Sequence, residues 1–259
     1  MADKTGISWT ASDDGRPGAT WNPTTGCDQI SSGCDRCYAL TLAKRLKAMG
    51  SARYQTDGDP LTSGPGFGLA MHPETLDIPR RWRAPRRVFV NSMSDLFHDS
   101  VTDEFIADVF AVMLECERHT FQVLTKRSRR LKALAAELPW PPNIWMGVSV
   151  ETDRYTFRAR DLEATPAAVK FVSAEPLLGA LPSLDVSRLD WVIAGGESGA
   201  GFRKPHGDWF RDLRDRCHET ETPFFFKQWG GVNKKANGRE LQGNTYDNMP
   251  NCQRQLAFL

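Results

Sequence analysis

The chain has 259 residues, of which 40% are hydrophobic and 25% are charged, and its formal net charge is +1 at pH 7. This composition excludes the disordered and fibrous classes, and the near-neutral charge argues against avid non-specific binding to DNA. No apolar run approaches the length of a membrane-spanning helix, and residues 1–5 lack a signal peptide's apolar core, so we expect a cytoplasmic protein. At this length we expect a single domain over residues 1–259.

The N-terminal part of the sequence leads into a loop that contains three of the six cysteines. Short strands are predicted at residues 7–10 and 19–22, on either side of a turn rich in Gly, Asp and Pro. The cysteine loop follows the second strand, and a helix is predicted from residue 38 to residue 49, where Gly50 ends it. The order of strand, cysteine loop and helix is that of one βα unit.

The spacing of Cys27, Cys34 and Cys37 indicates a metal centre. Thiols stay reduced in the cytoplasm, so clustered cysteines favour metal binding over disulfides. A closed structural zinc site uses four ligands, whereas an iron–sulfur cluster held by three cysteines leaves one iron open to an outside ligand. A zinc site completed by a distant His or Cys remains an alternative. The other three cysteines are far from one another in the sequence: Cys116, Cys217 and Cys252. Cys116 is expected in the core.

A long loop and then a repeated rhythm follow. Residues 51–79 are rich in Gly, Pro, Asp and Ser and are too long for a plain connection, which is typical of a functional lid or of a mobile loop. From residue 80 onward, short β-branched or aromatic runs alternate with helical patterns, as in βα units with a parallel sheet. Strands are predicted at 88–91, 121–124, 144–150, 169–173, 191–194 and 224–226, and helices at 103–116, 128–137, 154–163 and 207–219. The pattern predicts an α/β fold of six or seven βα units, with an irregular link at 174–190 and a C-terminal extension at 230–259.

Polar residues follow most of the predicted strands. In parallel barrels and open parallel sheets, the working residues lie on loops at the C-terminal strand ends. Helix caps and turns use the same residue types, but five polar strand ends on the face that holds the cysteines favour a functional site. These strand ends are 91–95 (Asn-Ser-Met-Ser-Asp), 125–127 (Thr-Lys-Arg), 149–152 (Ser-Val-Glu-Thr), 173–176 (Ser-Ala-Glu-Pro) and 195–199 (Gly-Gly-Glu-Ser-Gly).

Two basic runs, at residues 80–87 and 126–130, are expected to flank this site. Arg and Lys neutralise phosphates in nucleic-acid binding, so the runs favour a phosphate-rich substrate, while a solvated surface is the simpler alternative. The five histidines show no paired metal spacing. His98, just past Asp95, is the histidine that we single out for a test of contact with the site.

The cysteine loop resembles the cluster loop of radical S-adenosylmethionine (SAM) enzymes. The resemblance rests on Asn22-Pro23-x-x-Gly26-Cys27, followed by Cys34-x-x-Cys37-Tyr38-Ala39. The strand ends at 91–95, 124–126, 148–152 and 175–176 resemble the spore-photoproduct-lyase-like branch of these enzymes. From about Thr20 to Met249, including 195–199 and 225–230, the chain resembles more closely a phage and prophage three-cysteine-motif family of radical-SAM-like proteins. Six residues separate Cys27 from Cys34, and that family has the same wide spacing.

The resemblance implies a partial (βα)6–7 TIM-like barrel with parallel strands, of the radical SAM type. It implies that Cys27, Cys34 and Cys37 bind a 4Fe–4S cluster whose open iron binds SAM. An external donor then supplies the electron that cleaves SAM to a hydrogen-abstracting radical. The implied substrate is a nucleic acid or nucleotide, as in modification or repair. Two alternatives stay open: a zinc-stabilised nucleic-acid-binding protein without catalysis, and a cluster- and SAM-binding protein that works with a partner subunit.

The resemblance and the strand positions also imply roles for individual side chains. Tyr38 would pack near the cluster and the adenine, and Lys126 would meet the SAM carboxylate. The SAM amino group would be bound by Asn91, Ser92, Ser94 and Asp95. Ribose hydroxyls are assigned to Ser149 and Glu151, and polar groups of substrate or cofactor to Glu175 and Glu197.

Overall fold

The computed structural model describes residues 4–12, 15–233 and 237–250. Its strands are β1 (Ala19–Thr20), β2 (Thr24–Thr25), β3 (Ala70–Met71), β4 (Arg87–Val90), β5 (Thr120–Thr125), β6 (Ile144–Ser149), β7 (Val169–Ala174), β8 (Trp191–Gly195) and β9 (Phe224–Gln228). Its α-helices are α1 (Tyr38–Ala48), α2 (Ile78–Arg81), α3 (Asp103–Glu115), α4 (Ser128–Leu134), α5 (Phe157–Glu163) and α6 (Gly207–Glu219). Among the described residues, none of the helices has the length and apolar character that a bilayer crossing requires.

Seven parallel strands form one sheet in the order β1-β4-β5-β6-β7-β8-β9. Strand order therefore follows chain order, as in the wall of a βα barrel, and not the reversed order of a doubly wound sheet. Because β1 and β9 are the two edges of the sheet, the barrel is partial. The predicted α/β fold, a partial TIM-like barrel of parallel strands, is confirmed.

The strands are apolar runs because both faces of the sheet are covered. All six residues of β6 are buried. On the outer face, α3 packs its apolar stripe against the sheet through Phe105, Ile106, Val109, Phe110 and Met113. The helix begins where the hydroxyl of Thr102 accepts a hydrogen bond from the Phe105 amide (3.2 Å), an N-cap that the sequence Thr-Asp-Glu favours.

The inner face of the sheet carries an aromatic floor. We give this name to a buried cluster that contains Trp9, Phe89, Trp145, Phe171, Trp191 and Phe225. The ring of Trp9 meets that of Phe89 edge to face at 4.8 Å. The strand predicted at 7–10 is therefore wrong: Ser8–Thr10 is a 3₁₀ turn, closed by the Thr10 hydroxyl on the Ile7 carbonyl (2.8 Å), and the turn directs Trp9 into the barrel.

Most predicted elements are found with shifted ends. The strand predicted at 19–22 stops at Thr20, because the residues after it turn toward the cysteines. The helix predicted at 154–163 starts at Phe157, after a 3₁₀ turn at Asp153–Tyr155, and the one predicted at 128–137 ends at Leu134. Cys116 and Cys217 are buried, as expected for Cys116, whereas Cys252 lies outside the described residues.

The long 51–79 loop is tied to the cysteine loop by a small antiparallel pair. β2 pairs with β3 through Thr24 opposite Met71 and Thr25 opposite Ala70. The described part of the C-terminal extension packs on the far edge of the sheet, where the Phe226 amide bonds the Tyr246 carbonyl (2.9 Å). The 51–79 loop thus lies beside the cysteine loop, whereas the C-terminal extension covers the free edge of β9.

Candidate functional site

One cavity of about 500 Å³ lies at the C-terminal ends of the parallel strands. Barrel-type folds place their catalytic and binding residues at these strand ends. Every predicted site residue except Glu151 lines it, namely Cys27, Cys34, Cys37, Tyr38, Asn91, Ser92, Ser94, Asp95, Lys126, Ser149, Glu175 and Glu197. The structure therefore brings together side chains that are more than 100 residues apart in the sequence.

A glycine fixes the approach to the first cysteine. Gly26 has φ +86°, and a Cβ at this position would lie 2.1 Å from the carbonyl oxygen of Gly68. Its amide donates to the Met93 carbonyl (3.0 Å), and the Cys27 amide donates to the Phe67 carbonyl (3.3 Å). Only glycine fits this backbone conformation and this close approach.

The six residues between Cys27 and Cys34 are held on one side by the 51–79 loop. Asp28 accepts hydrogen bonds from the hydroxyls of Thr62 (2.7 Å) and Ser63 (2.8 Å). Its other oxygen lies 2.9 Å from Nε2 of His98. His98 thus contacts the neighbour of a cysteine, and it lines a second, smaller cavity together with Asp28 and Asp57.

On the other side, the same six residues are held by Glu151. The Ser31 hydroxyl donates to its Oε1 (2.7 Å), and Gly33 packs so closely on it that a Cβ there would lie 2.4 Å from its Cγ. Glu151 is fully buried and also bonds the guanidinium of Arg158 (2.9 Å). Its carboxylate is used up inside the protein and supports the cysteine loop, so the ribose role predicted for Glu151 has no support from its position.

The cysteine sulfurs lie in a poorly hydrated setting. Burial raises the pKa of the Cys27 thiol to about 12, with a further rise from Asp95 that Arg127 opposes. Burial also raises the pKa of Cys37. Both thiols need added positive charge to become thiolates near neutral pH, and a bound metal centre supplies it. Within residues 4–12, 15–233 and 237–250, no group of three His, Cys, Asp or Glu side chains is arranged to hold a single metal ion.

The strand end after β4 is organised by the residues just before the cysteine loop. Asn22 accepts from the amides of Ser92 (2.7 Å) and Met93 (3.2 Å). Thr24 Oγ1 accepts from the Asn91 amide group (2.7 Å) and lies 2.8 Å from Ser94 Oγ. Asn22 was part of the motif, whereas Thr24 was missed, because nothing in the sequence shows that its hydroxyl faces β4.

Asn91 has a side-chain oxygen without a described hydrogen-bond donor. Its Oδ1 is buried and, within the described part of the chain, has no hydrogen-bond partner, although the residue lines the cavity. A buried carbonyl oxygen without a donor is costly, so the position favours a ligand that brings one.

Asp95 and Arg127 form the wall behind Cys27. The Asp95 carboxylate accepts from Thr125 Oγ1 (2.7 Å), from the Lys126 amide (3.0 Å) and from Arg127 (3.4 Å). Arg127 also donates to Cys27 Sγ at 3.3 Å. Asp95 is therefore largely occupied by protein groups, and Arg127, which was not predicted as a site residue, contacts a cysteine sulfur directly.

The two basic runs differ in their position relative to the site. The run 80–87 ends at Arg87, the first residue of β4, so it lies at the N-terminal ends of the strands, opposite the cavity. For this run the expectation was wrong. There Arg80 pairs with Asp77 (2.7 Å) and Glu115 (2.6 Å). In the run 126–130, Lys126 and Arg127 line the cavity, and Arg130 bonds the carbonyls of His98 and Val101. Sequence reasoning could not separate these uses because the residue types are alike.

Lys126 reaches the cavity as a charged group. Its Nζ lies 3.7 Å from Oε1 of Glu151. Burial works against the charge, but Glu151 and the thiols of Cys34 and Cys37 more than offset it, so the pKa of Lys126 lies above its ordinary value. An ammonium group beside two cysteines is suited to an anionic partner.

The far side of the cavity is closed by ion pairs from β7, β8 and β9. Lys227 Nζ lies 2.5 Å from Glu175. The guanidinium of Arg203 bonds both oxygens of Glu197 and continues to the Ser32 carbonyl (2.8 Å) and to Asp35 (3.1 Å). The loop after β8 is thereby fastened to the cysteine loop. Arg203 was missed, because only the fold reveals its distance from the cysteines.

The residues of the cavity fit an iron–sulfur cluster and SAM. Three thiols that line the cavity match the three-cysteine donor set of an open cluster. Beside them lie an unused buried acceptor on Asn91, the ammonium of Lys126 and the half-exposed ring of Tyr38, whose hydroxyl is fixed on the Ser92 carbonyl (2.5 Å). These groups complement an amino group, a carboxylate and a purine.

Solved structures of spore photoproduct lyase are similar to this chain at low identity. Its complex with dinucleoside spore photoproduct has a TM-score of 0.42 and 12% sequence identity, over 76% of this chain and 60% of that chain. A tyrosine-to-phenylalanine mutant of the lyase gives a TM-score of 0.43 at 12% identity, and a cysteine-to-alanine mutant gives 0.42 at 14%. The matched region thus spans about 60% of the length of those proteins.

No curated protein matches the sequence. A protein family does match it, over residues 4–250, which is almost the whole of the chain described above, including the cysteine loop and all seven strands of the sheet. The chain belongs to this family, whose description is "Protein of unknown function (DUF5131)".

Proposed function

We propose that this protein is a radical-SAM-type enzyme that acts on a nucleic acid or nucleotide. The observation that carries the proposal is the meeting of Cys27, Cys34 and Cys37 in one cavity at the C-terminal edge of a parallel half-barrel. When bound, a 4Fe–4S cluster and SAM supply the one-electron cleavage of a carbon–sulfur bond and a radical that abstracts hydrogen. The electron comes from an external donor.

The chain's own residues would bind and orient these groups. Cys27, Cys34 and Cys37 would hold the cluster. The free Oδ1 of Asn91 and the Ser92 hydroxyl would accept from the SAM ammonium, and Lys126 would pair with the SAM carboxylate. The rigidly held ring of Tyr38 offers a stacking surface for adenine.

The substrate would bind against the cavity wall formed by β7, β8 and β9. Ser173, Glu175, Lys227 and Gln228 line this side of the cavity. These hydrogen-bonding groups suit the edge of a nucleobase. The nearby cations Lys227 and Arg203 are already paired with carboxylates, so the proposal places phosphates outside this part of the cavity.

Anaerobic reconstitution tests the proposed function. Wild-type protein treated with iron, sulfide, dithionite and SAM is expected to bind about four irons and to release methionine and 5′-deoxyadenosine. The Cys34→Ala variant should lose the product because one ligand is missing. Cys116→Ala, at a buried cysteine of the outer core, is the matched control and should retain it.

Three results would count against the proposal. One equivalent of zinc without labile sulfide would support the zinc-stabilised binding protein instead. A cluster that binds SAM but never cleaves it would favour a protein that needs a partner subunit. If cleavage occurs but neither oligonucleotides nor nucleotides stimulate it or become modified, the substrate assignment fails.

A further inference from the structure

Arg127 is a buried cation in direct contact with a cysteine sulfur. Its Nη1 donates to Cys27 Sγ at 3.3 Å, and the residue is only 8% exposed. A charge-assisted hydrogen bond in a poorly hydrated setting is stronger than the same bond at the surface. Among the described contacts, Cys27 is thus the cysteine whose sulfur accepts a hydrogen bond from a cation, whereas Lys126 acts on Cys34 and Cys37 through its charge.

The protein holds this guanidinium in place at several points. The Arg127 amide donates to Thr125 Oγ1 (2.9 Å), and its Nη2 donates to the Asp28 carbonyl (3.4 Å). Nη1 is shared between Cys27 Sγ and Asp95 Oδ2 (3.4 Å). The charge thus stays beside the sulfur, and Asp95 partly neutralises it.

A cluster that gains an electron becomes more negative. A fixed cation at one of its ligand sulfurs stabilises the reduced form more than the oxidised form, so hydrogen bonds and charges around the sulfurs set the reduction potential. A nearby carboxylate acts in the opposite sense. Arg127 and Asp95 therefore pull on the same potential in opposite directions.

We propose that Arg127 is a positioning residue that raises the reduction potential of the cluster held by Cys27, Cys34 and Cys37, and that Asp95 limits the rise. This inference rests on the proposed function, since it requires the cluster. The inference goes beyond the proposed function because it assigns the reduction potential of the cluster to two side chains that need not touch SAM or substrate.

The test is a redox titration of the reconstituted protein without SAM. Dithionite supplies one electron per cluster, and electron paramagnetic resonance counts the reduced clusters. In Arg127→Gln the equilibrium constant for reduction should fall at least tenfold, which is about 59 mV for a one-electron couple. In Asp95→Asn the midpoint should move the other way, to a more positive potential.

Arg158→Gln is the matched control. Arg158 is also a buried arginine paired with a carboxylate, but its guanidinium bonds Glu151 and the Ser149 carbonyl. Its loss should move the midpoint less than the loss of Arg127 does, because only Arg127 contacts a sulfur among the bonds described above.

The opposite signs make the proposal easy to overturn. A merely structural role for Arg127 would let water in and shift both variants the same way. An unchanged midpoint potential in Arg127→Gln, at wild-type iron and sulfide content, would contradict the proposal. If that variant fails to hold a cluster, Asp95→Asn decides alone, and no positive shift there is equally fatal. A wild-type protein without a cluster would instead overturn the proposed function.

Discussion

At Gly26, backbone conformation and packing impose the same requirement. A side chain there would be strained by φ +86° and would collide with the backbone of Gly68. We expect Gly26→Ala to lower the free energy of unfolding by about 2–4 kcal/mol, as measured by urea denaturation. Gly64→Ala is the control, because φ is +78° there but no atom lies within 4 Å, and it should cost about 1 kcal/mol. Equal losses would contradict the packing account.

Single residues also mark the limit of sequence reasoning about the site. The cysteines and the polar strand ends could be predicted because their types and spacing are unusual. Arg127 and Arg203 could not be predicted, because the sequence does not show whether a basic residue faces solvent, a carboxylate or a sulfur. Glu151 shows the converse: its position at a strand end suggested ligand binding, whereas its carboxylate is consumed by Ser31 and Arg158.

The loop after β8 and the cysteine loop are joined mainly by Glu197 and Arg203. Burial works against the charge of Glu197, but Arg203 more than offsets it, so the pKa of this carboxyl lies below its usual value. Stability from this ion pair is therefore fully present above the ordinary glutamate pKa of about 4.3. It is lost as the pH falls through the lower, folded-state value.

Comparison of wild type with Glu197→Gln should reveal this pH dependence. We expect the variant to be less stable by about 1–2 kcal/mol at pH 7, where the wild-type carboxylate is charged. The difference should shrink toward zero when urea denaturation is repeated well below pH 4.3. Glu221→Gln, at an exposed glutamate outside the site, should show little difference at either pH. A gap that widens in acid would refute the assignment.

The elements themselves were largely predictable. Parallel strands buried on both faces must be continuous apolar runs, so six of the seven sheet strands stood out by composition, and β1 by its place before the cysteines. Element ends were less accurate, because 3₁₀ turns such as Asp153–Tyr155 share the polar residues of helix starts. The prediction of a strand at 7–10 was wrong because β-branched and aromatic residues also occur in turns. Here Ser8–Thr10 is a 3₁₀ turn that buries Trp9.

For the whole molecule, the interior of the half-barrel has to be filled by side chains, and Trp9 is one of those that fill it. Its ring is 3% exposed and packs on Phe89 and Trp191 of the aromatic floor. Trp9→Ala should lower the free energy of unfolding by about 3–5 kcal/mol in urea denaturation. Leu61→Ala, at a side chain that is 88% exposed, should change it by no more than about 0.5 kcal/mol. A similarly small effect of Trp9→Ala would show that the aromatic floor does not depend on Trp9 for its stability.

The bond from Arg203 to the Ser32 carbonyl spans 171 residues and has a consequence for biosynthesis. A ribosome that adds about 5–20 residues per second needs roughly 10–30 s to reach Arg203 after Ser32. Throughout that interval the cysteine loop lacks the contact from Arg203 that fastens it to the loop after β8. The proposed cluster could therefore enter a fully shaped site only after residue 203 has been synthesised, and the nascent thiols stay open to oxidation and to other metal ions until then.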